Sequence, residues 1–220
     1  MLLGHYAAGL AAKKFAPQTN LGLLIAAGAF LDLIWPLLLS LRLERVLIIP
    51  GTTEVTPLFF LYYPWSHSLL MSTVWGLSLG SLYFALTRYK AGALTLGLLV
   101  VSHWFFDVPM HQPDLPLTPW GETMVGFTLW NSVPLSFLIE YSLFAVGIYL
   151  YASVTTANTK FGSWGLNTFC ALGCLVYLVN FLGPPPTSTR ALIFGACALQ
   201  GMFILLAMWV DRGRCTIKQN

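Results

Sequence analysis

The sequence predicts an all-α integral membrane protein: about six transmembrane helices, preceded by a short N-terminal half-helix. Three observations carry this expectation. Only 9% of the residues are charged, against roughly 25% in soluble domains. The mean hydropathy is +0.73. Apolar residues also gather into six runs close to the roughly 20 residues that a spanning helix needs. The polar stretches between runs are short, so residues 1–220 are expected to form a single transmembrane domain. The net charge of +3 is scattered, and no basic run offers the footprint of a nucleic-acid binder.

The elements follow in order. Residues 2–15 are apolar but too short to span. Their opening, MLLGHYAAGLAAKKFAP, puts its apolar run before its charges, the reverse of a signal peptide, and is expected to be retained. Pro17 and Asn20 separate it from a first span at 20–41. Pro50, Gly51 and Pro57 break the next connection, and a second span covers 64–87, with Ser66 as its expected N-cap. Arg88 and Lys90 mark a tight hairpin into a third span at 91–108. Pro109 disfavours helix at Val108, so that helix is expected to end there and leave His111 in a loop. A fourth span is expected at 125–151 and a fifth at 163–183, closed by Gly183 and Pro184 to Pro186. The sixth is expected at 189–210. Cys170, Cys174, Cys197 and Cys215 have no Cys-x-x-Cys or Cys/His pattern and read as packing residues.

Lysine and arginine bias gives the orientation. One side, A, collects Lys13, Lys14, Arg88, Lys90, Lys160, Arg212, Arg214 and Lys218; side B holds Arg42, Arg45 and Arg190. Side A, with the C-terminus, is therefore expected to be cytoplasmic. Trp65, Trp104, Trp120 and Trp130 near side B fit an interfacial aromatic belt.

Against this background the ionisable residues inside the spans are conspicuous, because each is costly in a bilayer. Asp32 lies roughly 18 Å from side A at helical rise, and His103 roughly 20 Å. Asp107 is one turn above His103. His67 and Asn131 enter from side B, Glu140 lies deeper on the same span, and His5 sits on the half-helix. These residues are expected to converge between the midplane and side B of the membrane. The last two spans hold no acid or histidine and read as scaffold, so residues 1–150 are expected to carry the site. His103 and Asp107 stand at i and i+4, one above the other on a helix face, and can reach one ion. Neutral imidazole and carboxylate together suit zinc, manganese or iron.

The residues Gly4-His5, Asp32, Ser66-His67-Ser68 and His103-x3-Asp107, with the continuation HQPDLP (His111 to Pro116), Trp130-Asn131-Ser132 and Glu140, resemble the membrane-bound metal-dependent hydrolases. That family includes LexA-regulated bacterial inner-membrane proteins. The resemblance covers roughly residues 1–150. It implies a metal site with His5, Asp32, His67, His103 and Asp107 as ligands, in a bacterial cytoplasmic membrane. After Asp32 the chain reads LDLIWP and departs from the Asp-His run common in the family. The His-x3-Asp pair also resembles those of zinc phospholipase C and P1-type nucleases, which implies phosphoester substrates.

The function expected on these grounds is metal-dependent hydrolysis, in which zinc-activated water attacks an ester or phosphoester of a lipid or lipid-linked substrate from side B. Glu140 is the candidate general base or ligand-orienting group. Asn131 and His111 are candidates to hold the substrate or leaving group. Two other classes use the same residue types: a proton- or metal-coupled transporter, and a structural protein whose polar residues join helices.

Overall fold

The computed structural model describes residues 1–217; Lys218 lies outside them. Among these residues the chain is all-α with a few short strands. Five helices are long and apolar enough to cross a membrane, and a bent pair makes up to six.

Helix α1 (Leu3–Ala12) is the half-helix. Its run of Ala and Gly lets neighbouring backbones come close, as small residues do in membrane bundles. It lies in the centre of the molecule, against the helices that begin at Leu21, Lys90 and Val133, with almost every residue buried.

The expected first span is in fact two helices, α2 (Leu21–Gly28) and α3 (Phe30–Ser40), bent by 59° at Ala29. Gly28 sits directly on α1: a Cβ there would lie 2.5 Å from the His5 carbonyl oxygen. Sharp bends need such a local cause, and this one sets the Gly28 carbonyl toward a side chain of the site.

On side B, β1 (Arg45–Ile48) pairs antiparallel with β2 (Leu58–Tyr62). This hairpin stands where the sequence suggested only a loop. The second span also divides. One turn, α4 (Pro64–His67), precedes α5 (Leu69–Thr87), and the N-cap of α5 is Ser68, whose Oγ accepts from the Met71 N–H at 3.2 Å. Ser66 is therefore not the cap; it lies inside α4.

Helix α6 (Lys90–Met110) passes through Pro109 instead of stopping before it. A proline removes one N–H, and the last turn still closes through His111 N–H donating to Asp107 O at 3.0 Å. His111 is buried at the helix end and not out in a loop. Strands β3 (Leu115–Pro116) and β4 (Met124–Val125) pair after it, and a 3-10 turn spans Leu129–Asn131. This delays α7 (Val133–Val154) by eight residues relative to the expected start. Helices α8 (Lys160–Leu182) and α9 (Thr189–Arg212) complete the bundle. Strands β5 (Thr155–Ala157) and β6 (Arg214–Thr216) pair at the side A end.

Because α9 runs to Arg212 it includes Asp211, so the final helices do carry an acid. Lys13 Nζ reaches Asp211 Oδ2 at 2.7 Å, the Leu21 N–H donates to the same oxygen, and the Tyr151 hydroxyl donates to Oδ1. One carboxylate thus joins α1, α2, α7 and α9. The tryptophans divide too: Trp120 is exposed, whereas Trp104 is buried with Nε1 donating to Pro116 O. Cys170 and Cys174 pack against the core, while Cys197 and Cys215 are exposed.

Candidate metal centre

Four segments deliver the polar residues to one point. α6 brings His103 and Asp107, α1 brings His5, α3 brings Asp32, and α4 brings His67. Two overlapping groups of ligand atoms result, His5–His103–Asp107 and Asp32–His67–His103, each with its atoms within 4.8 Å of one another. His103 Nε2 lies 3.1 Å from Asp107 Oδ2 and 3.8 Å from Asp32 Oδ1. His5 Nε2 lies 3.1 Å from Asp107 Oδ1, and its ring stacks on His103 with centroids 3.5 Å apart. His67 Nε2 is 3.5 Å from Asp32 Oδ1.

The bend between α2 and α3 explains the tautomer of His103. Its Nδ1 faces the Gly28 carbonyl at 2.8 Å. A carbonyl only accepts, so Nδ1 carries the proton and Nε2 of a neutral ring holds a lone pair. In that form the lone pair points at two carboxylates, and Nε2 has no hydrogen-bond partner. Acceptor facing acceptor in a buried place is repulsive unless a cation lies between them. The set of two carboxylates and three imidazoles is also the donor chemistry that zinc prefers. The Met1 nitrogen rests beside Asp107 Oδ1 and lies 3.3 Å from His5 Nε2. The residues present therefore fit a divalent metal.

A cavity of about 190 Å³ opens beside the cluster. Asp32, His67 and Asp107 line it, and His111 and Glu140 face it as well. Trp35, Phe60 and Trp130 give it apolar walls, and Tyr177, Asn180 and Gln200 close it from α8 and α9. The helices described by sequence as scaffold thus contribute part of the wall.

The three candidate catalytic residues have different fates. His111 lies in the cavity wall, with Nδ1 3.0 Å from Asp114 Oδ1 and 3.2 Å from the Tyr63 hydroxyl. Burial, with Asp114 beside it, holds the Tyr63 phenol well above its usual range, so it stays a donor, and it donates to Asp114 Oδ1 at 3.0 Å. The His111 proton then belongs on Nδ1, which leaves Nε2 bare. Burial also pushes the His111 imidazole below its ordinary value of 6.5. Glu140 accepts from Leu2 N–H and Gly4 N–H, both at 2.9 Å, and so fixes the start of α1 and with it His5. Asn131 is exposed outside the cavity, because the 3-10 turn directs its neighbour Trp130 inward instead.

Sequence reasoning passed over Glu44, Tyr63 and Asp114. Asp114 could have been noticed three residues after His111. Glu44 lies between Arg42 and Arg45 and has the look of surface charge, yet it is only 2% exposed. Ser66 and His67 also meet: Ser66 Oγ lies 2.6 Å from His67 Nδ1. On a regular helix adjacent side chains diverge by about 100°, but α4 is one turn long and breaks at Ser68. The chain matches no protein-family model, no curated protein and no solved structure.

Proposed function

We propose that this chain is a membrane-embedded, metal-dependent hydrolase acting on an ester or phosphoester, with zinc as its metal and manganese or iron as substitutes. The observation that carries the reading is His103 Nε2, buried without a hydrogen-bond partner and held toward Asp107 and Asp32 while Nδ1 meets the Gly28 carbonyl. His103, Asp107 and His5, with Asp32 and His67, would hold the ion. Zinc in such a site is a Lewis acid that makes water nucleophilic near neutral pH.

The protein's own groups have definable tasks. His111 Nε2 takes a proton from the attacking water and returns it to the leaving group, while Asp114 keeps Nδ1–H in place. Glu140 acts as a positioning residue through α1. Trp35, Phe60 and Trp130 exclude bulk water. The cavity is smaller than the roughly 300–1,000 Å³ of sites that enclose a whole ligand. It therefore takes the reacting end of a substrate whose remainder stays in the bilayer, which supports a lipid or lipid-linked substrate. The lysine and arginine bias supports an orientation with side B, and the cavity, facing outward and the C-terminus in the cytoplasm; a bacterial inner-membrane location is what the resemblance of residues 1–150 implies. Toward side A, Leu10, Leu24, Ala27, Leu96 and Leu99 are buried and apolar. That plug favours a site closed at one end over a transport pathway.

The test is metal content by mass spectrometry on detergent-purified protein, beside a folded His103→Ala/Asp107→Ala double variant. About one or two equivalents are expected in the wild type and none in the variant. Hydrolysis of p-nitrophenyl acyl esters, bis(p-nitrophenyl) phosphate and phospholipid vesicles is then measured. Absence of metal after reconstitution with zinc and with manganese would overturn the reading.

A further inference from the structure

We infer that Glu44 and Ser66 are positioning residues that set the tautomer of His67, so that its Nε2 is offered bare to the ion; this rests on the metal-centre reading above. Glu44 follows the turn that ends α3, where Arg42 adopts a left-handed φ of 60°. Its side chain goes inward to α4: Oε1 accepts from the Ser66 N–H at 2.7 Å and Oε2 from the Ser66 hydroxyl at 2.7 Å, with the Trp65 N–H also directed at the carboxylate. No lysine or arginine pairs with it among the described residues. A buried carboxylate without a cation is costly, so it persists only where its hydrogen bonds or its task offset that cost.

The proton count assigns the task. Ser66 Oγ has a single proton. Two donors, the N–H and the O–H of Ser66, meet the two oxygens of Glu44, the pattern of an acceptor-only carboxylate. Of its two possible acceptors, the Glu44 carboxylate at 2.7 Å is nearer and more strongly accepting than the Tyr63 carbonyl at 3.3 Å, so the Ser66 proton goes to Glu44. At the 2.6 Å contact with His67 Nδ1 the hydroxyl oxygen must accept, so Nδ1 is the donor. The proton of a neutral His67 then sits on Nδ1, and the Nε2 lone pair faces Asp32 and the cluster. His103 reaches the same tautomer independently, through Gly28 O. Ser66 itself cannot be a nucleophile: it is fully buried and its oxygen is engaged on both sides. Histidines that bind metals commonly have their outer nitrogen fixed in this manner, and losing the partner typically costs about 10–100-fold in metal affinity.

Glu44→Gln tests this with almost no change of shape. The amide oxygen keeps the Ser66 N–H, and the amide nitrogen now donates to Ser66 Oγ. The hydroxyl proton then goes to His67 Nδ1 at 2.6 Å in preference to the Tyr63 carbonyl at 3.3 Å, which moves the imidazole proton to Nε2. Two readouts are used: the histidine ¹⁵N shifts of metal-free protein, with His67 assigned by a His67→Gln variant, and the zinc dissociation constant. The expected result is a wild-type His67 protonated at Nδ1, a Glu44→Gln variant protonated at Nε2, and zinc binding weakened about 10–100-fold at a similar melting temperature. An Nε2-protonated His67 in the wild type overturns the inference, and that measurement needs no variant to fold. An unchanged tautomer and unchanged zinc affinity in Glu44→Gln overturn it as well. A wild type that binds no zinc sinks the metal-centre reading, and with it the purpose assigned here, whereas the ¹⁵N shifts still report whether Glu44 sets the ring.

Discussion

Replacing Gly28 by alanine should damage the site without touching any polar residue. The added Cβ would lie 2.5 Å from the His5 carbonyl oxygen, and the obstacle is backbone, not the end of a flexible side chain. Either α1 or the α2–α3 bend must give way. Overpacking of this kind costs about 1–3 kcal/mol. At roughly 2–4 °C per kcal/mol for a chain of this size, the melting temperature should fall by about 2–12 °C. The same displacement pulls the Gly28 carbonyl from His103 Nδ1, now 2.8 Å away, and moves His5 on α1. Zinc affinity should therefore drop by about 10–100-fold, as when a supporting hydrogen bond to a ligand is lost. The assay is thermal melting in detergent with and without zinc, followed by a zinc titration. Gly195→Ala is the control: it lies within α9, nothing lies within 4 Å of its added Cβ, and alanine there should be neutral or stabilising by up to about 1 kcal/mol. Equal melting and equal zinc binding for Gly28→Ala and wild type would refute the close approach of α1 and α2 and the carbonyl's role together.

Other perturbations have definite outcomes. Asp211→Asn leaves the buried Lys13 ammonium without its counter-ion at a junction of four helices. Melting should report a loss of about 3–5 kcal/mol, and a Lys13→Met/Asp211→Leu pair should recover much of it. Glu140→Leu strips the acceptor from the Leu2 and Gly4 N–H groups, so hydrogen exchange in α1 should accelerate and zinc binding weaken, while Glu140→Gln, which keeps an acceptor, should be milder. For His111 the folded pKa lies below the unfolded value near 6.5, so the unfolded chain binds the extra proton first. Its contribution to stability is intact above that value and is lost as pH falls through about 6.5 toward the lower folded pKa. Melting curves from about pH 8 to about pH 5 should thus slope less in His111→Gln than in wild type, and an identical slope would count against a buried, neutral His111.

The legibility of the sequence varied with the range of the interaction. His103 and Asp107 could be paired from spacing alone, because i and i+4 on a helix leave little freedom. That His5 joins them depended on how a ten-residue helix packs, which no spacing fixes. The bend at Ala29 was hidden because LGLLIAAGAFLDLIWP is apolar but for Asp32. Lipid removes the polar face whose period would have betrayed a change of direction. The β1–β2 hairpin was more accessible: RVLI and LFFLY are β-branched and aromatic runs around a Pro-Gly turn. Asn131 was chosen over Trp130 on residue type, but the 3-10 turn decided which of the two faces the cavity. Glu44 was obscured by its neighbours, since a carboxylate between two arginines usually faces water, and its inward course depends on the left-handed turn at Arg42.

The central place of α1 also has a consequence for biogenesis. Ten residues cannot hold themselves across a bilayer, and Gly4 meets its partner Glu140 across 136 residues of chain. At about 5–20 residues per second, the ribosome needs roughly 7–30 s to make the interval between them. During that time His5 waits on a segment with no finished seat. The cluster can close only when α7 arrives, so seating α1 and creating the site are one event, and a nascent chain released before it would carry the ligand residues without a centre.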